Sequence, residues 1–281
     1  MNKPPKIAVR KPPPDTIGWN LDWEVIAVAD KAVFQSLNTM RSQPMEIITQ
    51  DSRSGVSRLR LTATYYVKMY GGIKETFRQL FGASRFEIEL GNLFYFSELG
   101  IHTPRVATYG REMRWGLLRQ AAIVTLAVSD SVTLEKLIDS GEFYARGVQY
   151  ARALLKQLAQ TTKLLHDDHF FHRDLKTRNI LVQNNGQQCQ LYFFDCPTGY
   201  HPPRLLRGRS IIRDLAYLER GLRGHVRKVD MLYFYKHYRG SARLSEEDKQ
   251  LARASLSYYA ERRMTKKRKR RALARGQSPL S

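Results

Sequence analysis

His172-Arg173-Asp174-Leu175-Lys176-Thr177-Arg178-Asn179 runs straight into the apolar stretch Ile180-Leu181-Val182. The order of residue types is what decides the fold. An Asp can accept the proton of an attacking hydroxyl, and an Asn five positions later can hold a metal ion beside the phosphate being moved. A loop of that length keeps both groups within reach of one phosphoryl group. Lys176, two residues after the Asp, can reach the same group. His, Arg, Asp, Lys and Asn are also ordinary in a charged turn before a strand. Eight positions matching in order separate a catalytic loop from such a turn.

The 281-residue chain is long enough for one large domain or for two lobes with sizeable cores. Hydrophobic residues make up 42%, which indicates a globular body rather than a disordered one. Lys and Arg number 47 against 26 Asp and Glu, a net charge of +21, so an anionic partner or surface is expected. Two cysteines, Cys189 and Cys196, do not suggest a disulfide framework and fit a reducing cytosol. No run of 18 apolar residues spans a membrane. Residues 1–16 read as a flexible, basic, Pro-rich arm rather than a secretory signal.

Upstream of the loop the pattern is that of a sheet. Met45 to Thr49 is a short apolar run, a candidate first strand. Gln50 to Ser57 is turn-rich and carries only Gly55 where a phosphate-covering glycine loop would have several, so an ordinary hairpin turn is an equal reading. From Arg58 to Tyr70 apolar and polar residues alternate with period two, as in a strand or two strands with a break. Lys68 falls on the face opposite Val67. A strand lysine by itself is usually just solvated, but in Y-Y-V-K, well upstream of the H-R-D loop, it resembles the lysine that pairs with nucleotide phosphates. Ser84 to Leu99 has helical spacing with Gly100 as a stop, and carries Glu87 and Glu89. Residues two apart on a helix point in different directions, so only one of them can face Lys68. Ile17 to Met40 has helical spacing in parts and no evident role.

Further on, Arg105 to Tyr109 and Gly116 to Leu126 read as strands, and Ser129 to Ser131 with Thr133 can cap a short helix. Val148, Ala151, Leu155, Leu158, Thr162 and Leu165, broadened by Leu154, form the stripe of a long amphipathic helix that delivers the chain to the H-R-D loop. The cluster His166-Asp167-Asp168-His169 reads as a helix end and turn, since adjacent side chains do not converge on one ion. Asn184-Asn185-Gly186 joins two further strands as a hairpin. The second of these ends in Phe193-Phe194-Asp195, which places a carboxylate well for a nucleotide's Mg²⁺, with Asn179 as the second oxygen ligand.

Lys68, a helix Glu, H-R-D-L-K-T-R-N and Asp195 together resemble the protein-kinase-like superfamily. Within it the chain is similar to the bacterial lipopolysaccharide core kinases, the group acting on Kdo or heptose. Three stretches carry that branch: E-L-G-N-L-F-Y-F-S-E-L-G-I-H-T-P from Glu89 to Pro104, I-V-T-L-A-V-S-D-S-V-T-L-E-K-L, and Arg213-Asp214-Leu215-Ala216-Tyr217-Leu218. The first favours Glu89 over Glu87 as the partner of Lys68. By analogy Asp214 buttresses the catalytic loop. The resemblance implies an α+β, bilobal fold with a small β-rich N-lobe at residues 17–127 and a larger, mainly helical C-lobe at 128–262, followed by a basic tail at 263–281. It implies ATP and Mg²⁺, with Lys68 and Glu89 on the nucleotide, Asn179 and Asp195 on the metal, Asp174 as base and Lys176 on the moving phosphoryl group. Two departures stand out. D-F-G is replaced by Asp195-Cys196-Pro197, and Asp214 follows Asp195 by only nineteen positions, too few for a long activation loop holding a peptide. A sugar or lipid-linked acceptor fits better than a protein. A compact Ser/Thr/Tyr kinase and a non-catalytic regulator are the alternatives.

Two basic stretches complete the reading. Arg204 to Lys228 carries eight Lys or Arg against Asp214 and Glu219, and is expected to border the acceptor, a lipopolysaccharide core. Arg262 to Arg275 carries nine, either disordered or extending the preceding helix. At about 1 kcal/mol for each basic residue near an anionic leaflet, such a tail can hold the enzyme on the cytoplasmic face of the inner membrane. Nucleic acid is the less favoured polyanion, because no aromatic residue interrupts Lys266 to Arg275 for base stacking.

Overall fold

The computed structural model describes residues 18–22, 24–51, 54–71, 83–114, 117–185 and 188–274. The N-terminal arm and the last residues of the basic tail lie outside them. The chain divides into two compact units. One comprises the residues up to Ser129 together with Phe193–Thr198, the other Asp130–Tyr192 and the residues from Gly199. Asp195, which the sequence places in the second lobe, thus packs with the first unit.

The first unit is built on a six-stranded antiparallel sheet. Its strands are β1 (Gly18–Leu21), β2 (Glu46–Gln50), β3 (Ser54–Arg60), β4 (Thr64–Gly71), β5 (Val106–Arg114) and β6 (Leu117–Leu126), in the order β1-β5-β6-β4-β3-β2. The alternation from Arg58 to Tyr70 resolves into two strands, β3 and β4, with a turn closed where Leu61 N–H donates to the Ala63 carbonyl. Period two then sorts the side chains. Leu59, Tyr65 and Val67 face one layer, formed with Phe34, Leu37 and Met40 of the segment preceding β2. That segment, without an evident role in the sequence, contributes β1 and α1 (Leu37–Arg41) and covers one face of the sheet. Fully burying a side chain the size of Phe34 is worth roughly 2–3 kcal/mol. Tyr70 and Ile123 face the other layer, with Phe86, Leu90 and Leu93 of helix α2 (Arg85–Glu98).

The hairpin reading of residues 50 to 57 holds, since β2 and β3 pair antiparallel, but strand rather than link takes up most of the stretch. Gly55 lies inside β3, opposite Gln50 on one side and Met69 on the other. Backbone pairing along both edges outweighs the turn propensity of Ser and Gly. The turn itself is tight: Asp51 N–H donates to the Ser54 carbonyl, and Ser54 N–H to Asp51 Oδ1.

The second unit is mainly helical. A three-stranded sheet of β7 (Ser131–Thr133), β8 (Ile180–Asn185) and β9 (Gln188–Phe193) accompanies α3 (Leu134–Asp139), α4 (Glu142–Ala145), α5 (Val148–Asp167), α6 (Arg204–Leu222), α7 (Lys228–Arg239) and α8 (Glu246–Ala274). Thr133 caps α3 by accepting from the Lys136 N–H. Helix α5 buries the expected stripe from Ala151 to Leu165, Leu154 included, leaves Val148 half-buried, and adds Ala159 and His166. The basic tail continues α8 as far as Ala274. Among the described residues no helix is long and apolar enough to cross a membrane.

Candidate active site

The first unit brings Lys68, Glu89 and Asp195 together. Lys68 lies on β4, on the face turned to α2, because its neighbours Val67 and Tyr65 take the opposite layer. Its Nζ donates to Glu89 Oε1 and Oε2, both at 2.8 Å, and to Asp195 Oδ1. Tyr70, two residues on and on the same face, donates its hydroxyl to Glu89 Oε2. Glu89, not Glu87, therefore meets the lysine. Glu87 is spent on the start of the helix, where it and Ser84 form a capping box and its other oxygen takes Arg111.

Burial works against an ammonium at Lys68, but the two carboxylates outweigh it and hold the group above the ordinary lysine range. Burial also pushes the Glu89 carboxyl up, against the pull of Lys68. These two directions disagree about which partner gives way. The lysine's governs, because one ammonium faces two carboxylates and Tyr70 donates to the glutamate as well.

Asp195 follows β9 with φ 56°, the left-handed region that a non-glycine residue enters at a cost of order 1–3 kcal/mol. What holds it there is local. Its carboxylate is tied to Lys68. The next residue, the fully buried Cys196, is pinned by Asn92, whose Nδ2 donates to the Cys196 carbonyl at 2.7 Å. Asn92 escapes a motif-based reading, yet it stands three residues after Glu89 and so on the same face of α2. One helix face thus fixes both the lysine's partner and the residue after the metal candidate. Cys196 stands in the sequence where D-F-G has its phenylalanine, and Asn92 binds its carbonyl.

The second unit holds Asp174, Lys176 and Asn179. Lys176 Nζ lies 2.6 Å from Asp174 Oδ1. Asn179 Nδ2 donates to the Asp174 backbone carbonyl at 2.9 Å and approaches its Oδ2 at 3.4 Å. Arg173 is left-handed, with φ 64°. The strain is held from behind by Asp214, buried on α6, which accepts the His172 N–H at 2.8 Å and the Arg173 N–H at 2.7 Å. His166 closes this layer: its Nε2 lies 3.5 Å from Asp214 Oδ2, its Nδ1 lies 2.8 Å from the Tyr238 hydroxyl, and its ring packs on Phe171. Of the His166-Asp167-Asp168-His169 cluster, His166 turns inward, Asp167 pairs with Lys163, and Asp168 with His201.

Two other contacts of the loop are invisible in a motif. Tyr217 of α6 lies under Lys176, ring to Nζ 5.3 Å. Gly221 of α6 sits so close to the loop that a Cβ there would meet Thr177 Oγ1 at 2.5 Å and Cγ2 at 2.6 Å.

Each unit carries an oxygen donor of the kind a hard cation takes. Asn179 uses its amide nitrogen on the loop, which leaves the oxygen as the atom to offer a metal. Asp195 supplies a carboxylate that is 34% exposed despite its bond to Lys68. No group of three or more His, Cys, Asp or Glu able to hold a metal occurs among the described residues. A cation that keeps water and substrate phosphate as its remaining ligands needs no such group.

The sequence matches the family described as "Lipopolysaccharide kinase (Kdo/WaaP) family" over residues 31–238. Among curated proteins it is similar to the serine/threonine-protein kinase PTK2/STK2 of Saccharomyces cerevisiae (strain ATCC 204508 / S288c), with 31% identity over 114 residues. That alignment covers 41% of this chain and only 12% of the yeast protein. Among solved structures it is similar to "WaaP in complex with acyl carrier protein", with a TM-score of 0.64 at 17% identity, covering 89% of this chain and 99% of that one. The likeness to WaaP fixes the fold as kinase-like, a sheet-rich N-terminal region followed by a helical C-terminal one. With the family matched over well more than half of the chain, this chain belongs to the lipopolysaccharide kinase (Kdo/WaaP) family.

Proposed function

We propose that the chain transfers the γ-phosphoryl group of ATP to a sugar hydroxyl, of Kdo or heptose, in the inner core of lipopolysaccharide. The observation that carries this reading is the Asp174–Lys176 pair at 2.6 Å, on a loop whose backbone is clamped by buried Asp214. Asp174 takes the proton of the attacking hydroxyl, and Lys176 stabilises charge on the phosphoryl group in transit. Lys68, aligned by Glu89, holds the nucleotide phosphates. Asp195 and Asn179 would each offer an oxygen to Mg²⁺, which when bound would neutralise phosphate charge. The basic chain, +21 overall, works at the cytoplasmic face of the inner membrane, with residues 263–281 on the anionic leaflet and an anionic glycolipid as acceptor. The WaaP relative is described with acyl carrier protein; a carrier protein that co-purifies with this chain would extend that partnership to it.

The test is transfer of label from γ-labelled ATP to under-phosphorylated lipopolysaccharide, beside a generic protein acceptor, with wild type and Asp174→Ala. The expected result is label in the glycolipid that the variant loses. Label that enters protein instead, and depends on Asp174, replaces this reading with a protein kinase. Label that persists in Asp174→Ala removes the base assignment.

A further inference from the structure

Helix α6 carries a ridge that phosphoryl transfer does not use. Leu205, Arg209, Arg213 and Tyr217 follow at four-residue intervals, one row along the helix surface. The inner end of the row is at the catalytic loop. Lys176 Nζ lies 5.3 Å over the Tyr217 ring, and the Arg213 guanidinium lies 5.7 Å from the same ring. The outer end is apolar and open. Leu205 is 91% exposed, and Leu206 beside it 40%. From Tyr217 to Leu205 the helix climbs about 18 Å.

The outer half of α6 is also one-signed. Arg204, Arg207, Arg209 and Arg213 all precede its first acid. Its two acids are committed elsewhere, Asp214 to the His172 and Arg173 amides and Glu219 to Arg223. Helix stability does not account for this composition. The first turn has no acid and no side-chain cap, and arginines there oppose the helix dipole. An exposed leucine pair adds nothing to the core. Apolar side chains and arginines at one end of a helix match a surface that is itself apolar below and anionic above, which is a lipid leaflet.

We propose that the outer half of α6 docks on a leaflet of anionic lipid. Leu205 and Leu206 enter the acyl boundary, and Arg204 and Arg209, both exposed, take anionic headgroups. The ridge then sets Lys176 and Asp174 at the height of headgroup-linked sugars. That last step rests on the kinase reading above, but docking is measured without phosphate transfer, so the two fail separately. It also differs from the basic tail in needing leucines as well as charge.

The experiment is co-sedimentation of the full chain with vesicles of mixed phosphatidylglycerol and phosphatidylcholine, and with vesicles of phosphatidylcholine alone. Wild type should partition to the anionic vesicles. Leu205→Ser combined with Leu206→Ser should lower that partition about a hundredfold or more, the size expected for losing apolar burial at two leucines. In Leu205→Trp the indole emission should move to the blue on anionic vesicles and be quenched by lipids brominated on their acyl chains. A double variant that binds as wild type does overturns the proposal, as does a tryptophan that stays unquenched. It falls too if removing the residues after Arg263 abolishes binding while the leucine variant leaves it intact, or if the chain binds heparin through its arginines and no vesicle at all.

Discussion

Lys68 and Lys176 each hold a carboxylate close, Lys68 that of Glu89 at 2.8 Å and Lys176 that of Asp174 at 2.6 Å. Their surroundings differ. The Lys68 and Glu89 side chains are 17% and 5% exposed, whereas Lys176 and Asp174 are 31% and 26% exposed. Lys68 is enclosed by a second carboxylate, a tyrosine hydroxyl and the core between sheet and helix. Asp174 and Lys176 stand on a loop whose support comes from behind, through the backbone. The first arrangement fixes a charge in a poorly screened place, where position is everything and removal is expensive. The second leaves its charges open to a substrate and puts the cost of order into Asp214 and α6. The first should therefore show up in stability and the second in turnover.

The largest expected effect is on the open pair. Asp174→Asn should lower kcat about a thousandfold, within the range for losing a general base, with the urea midpoint unchanged. A large shift in midpoint would mean that this carboxylate is structural after all. Next comes the closed pair. Glu89→Ala should cost about 3 kcal/mol in urea unfolding, since it strips a buried ammonium of one of its two carboxylate partners, and should raise KM for ATP. Glu87→Ala, which removes a capping box at the start of the same helix, should cost only about 1 kcal/mol and leave KM alone. Equal effects from the two would erase the distinction between them.

Gly221 sharpens the comparison from the other side, because it tests support of the open pair. Gly221→Ala drives a methyl into Thr177 and should destabilise by about 2 kcal/mol while lowering kcat. Adding Thr177→Ala should restore much of both. A double variant no better than the single one would show that the close approach of α6 to the loop does not set the geometry of Asp174. The smallest effect is in pH. Lys68 is raised above the ordinary lysine value of 10.5, so its ion pair contributes fully below that value and is lost only as pH climbs beyond it. The stability difference between wild type and Lys68→Met should therefore stay flat from about pH 7 to 9 and shrink only in stronger base. A decline already within the flat range would mean that the lysine is not held charged by Glu89 and Asp195.

Much of this was legible in the chain. Period two from Arg58 to Tyr70 put Lys68 on the face away from Val67, and the stripe from Val148 to Leu165 laid out the helix leading to the loop. Residues of the loop are contiguous, so its motif survives in one dimension. Other parts were not legible, for reasons that are physical. Residues 50 to 57 look like a link by composition, yet β3 begins at Ser54 because neighbours on both sides supply backbone partners. The segment before β2 has mixed periodicity because it must fit a face of the sheet that does not exist until β3 to β6 have paired.

What the sequence by itself determined, then, is the identity and order of the groups proposed to react: His172 to Asn179, Lys68, Asp195 and an acid on the helix that follows Lys68. Those depend on residue chemistry and short spacing. Tertiary structure decided which acid serves the lysine, because two glutamates two positions apart are separated only by the rotation of α2 against β4. It also decided what holds each group still. Asn92 on Cys196, Tyr70 on Glu89, Asp214 and His166 behind the loop, and Gly221 against Thr177 are contacts between residues far apart in the chain or on ordinary helix faces. No local pattern encodes them, since each exists only once packing has brought two surfaces together.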